Sequence, residues 1–214
     1  MGRIIKGANG GFSGKAGSVV GSSWNGIDYI KGLPRISHKP ASQKQLEQRA
    51  RFSAVNGFLG PLGETLKIGW KDQTNGKNTS VNMAVQYALA NSLTGTYPHI
   101  EVDPSLVLIS KGNLGNLTEL AVQSEEEGTL NLTWDYIPGD ESREMDDAVT
   151  VVVYNPTQEM FISYRAVALR NEKSVSLNLP ASFSTQEIHV YVFAVRRDDT
   201  KRSKSQHIGP VTVA

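Results

Sequence analysis

The sequence predicts an α+β protein, mainly β, and three observations carry that reading. Glycine recurs through residues 1–41, and Asn25-Gly26 marks a tight turn between short β-prone pieces. Between residues 42 and 99 two capped segments repeat their apolar residues with the period of a helix. From about residue 100 the period changes to two, and short apolar runs alternate with turn signals in the pattern of a two-sheet sandwich. The expected parts are an arm with a β-hairpin (1–41), a helical region (42–99) and a β-sandwich (100–214).

In the arm, Ser18-Val19-Val20 and Ser22-Ser23-Trp24 precede the turn, and Ile27-Asp28-Tyr29-Ile30 follows it. Asn-Gly suits a two-residue hairpin loop because both central residues take positive φ. Val19, Val20, Trp24, Ile27 and Tyr29 are the candidate anchors for self-association. Glycine adds backbone entropy to be lost on ordering and buries no side chain. A segment this rich in it cannot build its own core, so it is expected to lean on its own C-terminal part or on a neighbouring subunit.

Leu33-Pro34 to Lys39-Pro40 reads as an extended linker, since proline turns its predecessor away from helix. Ser42 is an N-cap with Gln45 completing a capping box. Leu46, Ala50, Ala54 and Phe58 form the stripe of the first helix, widened by Val55 and Leu59, and Gly60-Pro61 ends it. A short helical turn at Glu64–Lys67 leads to Ile68 and Trp70, and Asp72–Asn78 is a polar loop. Thr79 or Ser80 caps a second helix over Val81–Leu93, with Val81, Ala84, Val85, Ala88 and Leu89 inward and Gly95 closing it.

Strands are expected at Leu106–Ile109, Leu117–Val122, Thr129–Tyr136, Ala148–Tyr154, Tyr164–Leu169, Ser174–Leu179, Ile188–Arg196 and Val211–Val213. Leu130, Leu132, Trp134 and Tyr136 share one face. Val149–Tyr154 is apolar on both faces, which suits a central strand covered on two sides. The run from Thr129 to Pro138 resembles the second strand of a fibronectin type III domain, in which a buried tryptophan precedes a proline-containing turn. Ile188–Arg197, followed by Ser203 and Ser205, resembles that fold's penultimate strand and hairpin, with Ile188 where the family carries its corner tyrosine. The resemblance implies an immunoglobulin-like sandwich. The segments 14–30 and 39–52 are similar to an uncharacterised family from Bacteroidota that carries only a domain-of-unknown-function label. That likeness would span the whole chain and implies no catalytic residues.

Little in the sequence points to catalysis. With no cysteine, thiolate metal sites and cysteine nucleophiles are excluded. Gly14-Lys15 lacks the rest of a phosphate-binding loop: Asn9 stands for the first glycine and Ala16 for the magnesium-binding hydroxyl. His38, His99, His189 and His207 show no zinc-ligand spacing. Gly11-Phe12-Ser13-Gly14 falls one position short of a nucleophile elbow, so Ser13 reads as a turn residue. The cluster Asp140, Glu141, Glu144, Asp146 and Asp147, with Arg143 inside it, offers carboxylates to a cation, but it reads first as a solvated loop between two strands. Arg35, Lys39, Lys44, Arg49 and Arg51 have only Phe52 among them as a stacking partner, so they read as an exposed helix face and not a nucleic-acid site. Trp24, Trp70 and Trp134 are expected as packing anchors.

Residues 1–80 hold 12 basic and 4 acidic side chains, for +8, and residues 81–214 hold 10 and 17, for −7. Opposed charge of this kind favours contact between copies. No apolar run reaches the ~18 residues of a membrane span, and the N-terminus has none of signal-peptide length. The leading expectation is a non-enzymatic structural or assembly subunit without cofactor or metal. It would be made in the cytoplasm and self-associate through the arm, in a phage, a phage-like particle or another multi-copy surface structure. The first alternative is a binding module that holds a glycan or protein in the sandwich loops around 138–147 and 196–205, with Asp140, Glu141, Asp146 and Asp147 as candidate contacts. An enzyme of unrecognised type is the second.

Overall fold

The computed structural model describes residues 2–3, 11–24, 26–34, 39–74, 78–137 and 144–214. The chain divides into two compact units, an arm (Met1–Gln43) and a body (Lys44–Ala214). The arm is a four-stranded antiparallel sheet built from β1 (Gly2–Arg3), β2 (Gly14–Ala16), β3 (Val19–Trp24) and β4 (Ile27–Gly32), in the order β1-β4-β3-β2. Trp24 pairs with Ile27, so the hairpin loop has two residues, and Gly26 takes a φ of 74° there. Asn25 itself lies outside the described residues.

The body begins with helices. α1 (Gln43–Leu59) starts immediately after Ser42, α2 (Gly63–Gly69) follows a turn at Gly60–Leu62, and α3 (Ser80–Asn91) is capped by Thr79, whose hydroxyl accepts from the Asn82 amide at 3.2 Å. Val55 and Leu59 are buried, but Leu46 is exposed, because the first turns of α1 meet no core. α3 stops short of Leu93. Ser92 donates its hydroxyl to Leu106 O at 2.8 Å, and the chain turns into a hairpin of β5 (Leu93–Thr96) and β6 (His99–Val102). Gly95 therefore serves that hairpin, at a φ of 79°, and not the helix end.

Among the described residues seven strands form the sandwich. β7 (Thr118–Gln123), β8 (Thr129–Asp135) and β11 (Ser174–Asn178) make one antiparallel sheet in the order β11-β8-β7. β9 (Ala148–Asn155), β10 (Met160–Leu169), β12 (Glu187–Val195) and β13 (Gln206–Thr212) make the other, in the order β10-β9-β12-β13. The expected strand at Leu106–Ile109 is not one. Pro104–Leu106 is a 3-10 turn, and the chain beyond it is held by side chains: Ser205 Oγ accepts from the Ile109 amide at 3.0 Å, and Ser110 Oγ lies 2.7 Å from Ser203 O and 3.0 Å from Gly69 O.

β9 and β12 are apolar on both faces because each serves two cores. Val149, Val151, Val153, Val190 and Val192 meet Leu130, Leu132 and Trp134 of the opposite sheet. Val152, Tyr154, Tyr191 and Phe193 point the other way, onto Val55, Leu59, Leu66 and Trp70 of the helical layer. Each such side chain contributes about 1.5–3 kcal/mol on burial, so the helices and the second sheet stabilise the central sheet together. Residues 42–99 and 100–214, read apart in the sequence, share one core. Ile188, in place of a corner tyrosine, is fully buried between the sheets.

Arg202 fastens the layers. It is 1% exposed; its Nε donates to Ile68 O at 2.8 Å and its Nη1 to Asp72 Oδ1 at 2.5 Å. Gly69 lies where helix and linker touch, and a Cβ there would sit 2.3 Å from Ile109 O. Gly69→Ala is expected to cost about 1–3 kcal/mol through this overlap. Urea unfolding checks it, as a lowered midpoint at an unchanged slope.

Candidate functional site

Residues directly opposite each other in an antiparallel sheet share a face, and alternate residues of one strand do too. Val20 stands between Lys15 and Lys31, Ser22 opposes Tyr29, and Trp24 opposes Ile27. One face of the arm therefore carries Val20, Trp24, Ile27 and Tyr29, flanked by two lysines. The opposite face is built on Gly14, Gly21 and Ile30. Phe12 lies over Gly21, where a Cβ would come within 2.7 Å of its ring. Val19 belongs to this second face, apart from the other four expected anchors. No apolar side chain described in the arm is buried, and Trp24 is 47% exposed. Trp24 thus departs from the packing-anchor expectation, which Trp70 and Trp134 meet inside the body cores.

The two loop regions expected to form a binding end do meet. Arg197 Nη1 pairs with Asp146 Oδ2 at 3.2 Å, and Arg196 pairs with Glu144. Beside them a cleft of about 490 Å³ is rimmed by Arg165, Arg196 and Arg197 over Ala148 and Val195. β10 bulges into its wall, with Ala166 at a φ of 48°. Asp140 and Glu141 lie outside the described residues. Asp147 corrects the solvated-loop expectation, being 0% exposed. Its Oδ2 accepts from Arg170 Nε at 2.9 Å, and the same guanidinium donates to Gly115 O at 2.8 Å and to Asn116 O at 3.2 Å. Burial raises the Asp147 carboxyl above its ordinary value, opposed by the Arg170 charge. Its role is structural, closing the end of the sandwich where Trp134 Nε1 donates to Arg170 O at 2.7 Å. Among the described residues no three His, Asp or Glu side chains converge to hold a metal ion.

A second cleft of about 620 Å³ opens between α1 and the ends of β6, β9, β10 and β12. Gly57 and Phe58 form one wall, Tyr154 and Phe161 another, and Glu101 and Glu159 stand at the rim. Phe58 packs edge-on to both other rings, 4.9 Å from Tyr154 and 5.0 Å from Phe161. His189 closes the floor and stacks on His207, with Nδ1 and Nε2 2.9 Å apart. Sequence spacing missed this pair because the two residues are 18 positions apart. The β12–β13 hairpin register, which sets His207 opposite Tyr191, brings them together. Burial lowers both imidazoles from 6.5; for His207 the neighbouring His189 lowers it further, and Asp103 opposes the shift in each. A histidine with a depressed folded pKa favours folding while neutral and loses that contribution once protonated. The body is therefore expected to be most stable above pH 6.5 and to weaken as pH falls below it. Melting temperature against pH checks this, and His207→Gln should flatten the acid limb.

The two sheet orders and the Trp134 buried between them define the class: a fibronectin type III-like sandwich, here backed by a helical layer and preceded in the sequence by a small sheet. The chain belongs to a family of unknown function, DUF6266, matched over residues 11–209. No curated protein matches it. Similar solved structures include a two-domain fibronectin type III segment of chicken tenascin, 21% identical, covering 47% of this chain and 50% of that one, with a TM-score of 0.36. The fibronectin domain of human collagen alpha-1(XX) is 18% identical, covering 49% and 91%, with a TM-score of 0.34. That of human contactin 1 is 10% identical, covering 49% and 83%, with a TM-score of 0.31. Among the described residues no helix is long and apolar enough to cross a membrane.

Proposed function

We propose that this chain is a non-enzymatic structural subunit that associates with further copies of itself through the arm, as part of a multi-copy particle such as a phage-like one, or of a surface structure. One observation carries the reading: the arm is an ordered sheet with an aromatic, apolar face and no buried apolar side chain of its own among the described residues. A sheet face of this kind is stabilised by docking on a partner surface. Within the body, the ion pairs of the buried arginines, Asp147 with Arg170 and Asp72 with Arg202, hold the body's own elements together. Deleting residues 2–32 is expected to reduce the solution mass to that of a monomer while leaving the melting temperature of the body unchanged. Light scattering with calorimetry tests both parts, and an unchanged oligomeric mass would count against the reading.

A second reading has its own support. The loops at 144–147 and 196–205 are tied by ion pairs around the arginine-rimmed cleft, which is the arrangement a loop-borne binding site for an acidic glycan or protein would use. Binding that persists in the arm-deleted chain would favour it.

A further inference from the structure

We propose that the glutamate-rimmed aromatic cleft of the body is the seat for the arm of a second copy. The inference rests on the self-association reading above and names the surface that receives the arm.

The two surfaces match in chemistry. The outer face of the arm sheet offers Val20, Trp24, Ile27 and Tyr29, with Lys15 and Lys31 on the strands either side of Val20. Strand spacing sets those two lysines about 10 Å apart. The cleft offers Phe58, Tyr154 and Phe161 as an aromatic wall, with Glu101 and Glu159 at its mouth. Lys15, Lys31, Glu101 and Glu159 have no ion-pair partner among the described residues. Docking would give each unpaired lysine an unpaired carboxylate and cover the aromatic faces on both sides. Cation–π contact between a lysine and the rings would add to this.

Gly57 points to an occupant as well. Glycine inside a helix costs roughly 1 kcal/mol relative to alanine. Nothing lies within 4 Å of where its Cβ would stand, so no neighbour in the body demands a glycine. It lines the cleft, and its effect is to keep that wall low. The other body cleft is the wrong sign for a basic arm. Its rim is Arg165, Arg196 and Arg197, and its carboxylates Asp146 and Asp199 are already paired with Arg197 and Lys71.

The test uses full-length chains. E101K/E159K reverses the cleft, K15E/K31E reverses the arm, and G57W fills the cleft without changing charge. Each alone is expected to raise the self-dissociation constant about tenfold or more, read by analytical ultracentrifugation. An equimolar mixture of the two charge-reversed chains should reassociate, because each then meets its complement. Reassociation in the mixture with neither variant associating alone supports the seat. Unchanged mass in both E101K/E159K and G57W overturns it. If the 2–32 deletion still dissociates the assembly in that event, self-association stands and only the seat is wrong. If the deletion also leaves the mass unchanged, the assembly reading itself has failed.

Discussion

A sheet face that carries apolar side chains has to be covered, and this requirement organises the whole molecule. In the body it is met twice over. β9 and β12 send alternate side chains into the sandwich core and into the helical core, so the sheet they form is the middle of three layers. Neither the helices nor the outer sheet can be removed without exposing one side of it. The fibronectin-like sandwich of this chain is consequently part of a larger fold and not a free-standing module.

The joints between layers are polar, and they are placed where chain segments must cross. Arg202 reaches from the β12–β13 connection to the end of α2, and Ser110 lies between Gly69 and Ser203. Asp147 and Arg170 close the same end, next to the 114–116 segment that both arginines hold, at the cost of burying two charges. Breaking such a pair from one side leaves the other charge stranded, which is why these residues read as structure and not as chemistry. The arm meets the covering requirement only in part. Phe12 shields the glycine face at Gly21, and among the described residues the face bearing Trp24 and Tyr29 has no buried apolar side chain of the arm behind it.

Much of this was legible in the sequence, and what was missed follows a pattern. The hairpin at Gly26, the cap at Thr79, and the two-faced strand at Val149–Tyr154 were readable because each is a local rule: turn geometry, an orphan amide, a side-chain period. Leu93 looked helical because it follows Leu89 by four residues, yet Ser92 gives its hydroxyl to Leu106, a contact no local period encodes. Leu106–Ile109 looked like a strand because it is apolar, yet the Leu106 and Val107 amides donate back to Asp103 O and Pro104 O, Leu108 O accepts from the Trp70 indole, and the Ile109 amide donates to Ser205 Oγ. The acidic loop looked solvated because carboxylates cluster there, but the partner of Asp147 lies 23 residues away. The histidine pair and the glutamate-rimmed cleft depend on register and on layer packing, so single-sequence spacing does not reveal them.

The family match gives the architecture a place without giving it an activity, so the physical claim must be tested directly. Amide hydrogen exchange across residues 14–32, followed as a function of protein concentration, does this. If the arm is ordered by a neighbouring copy, its strand amides exchange fast in dilute solution and become protected as concentration rises, while the body amides do not change. Arm protection that is high and independent of concentration would contradict the account.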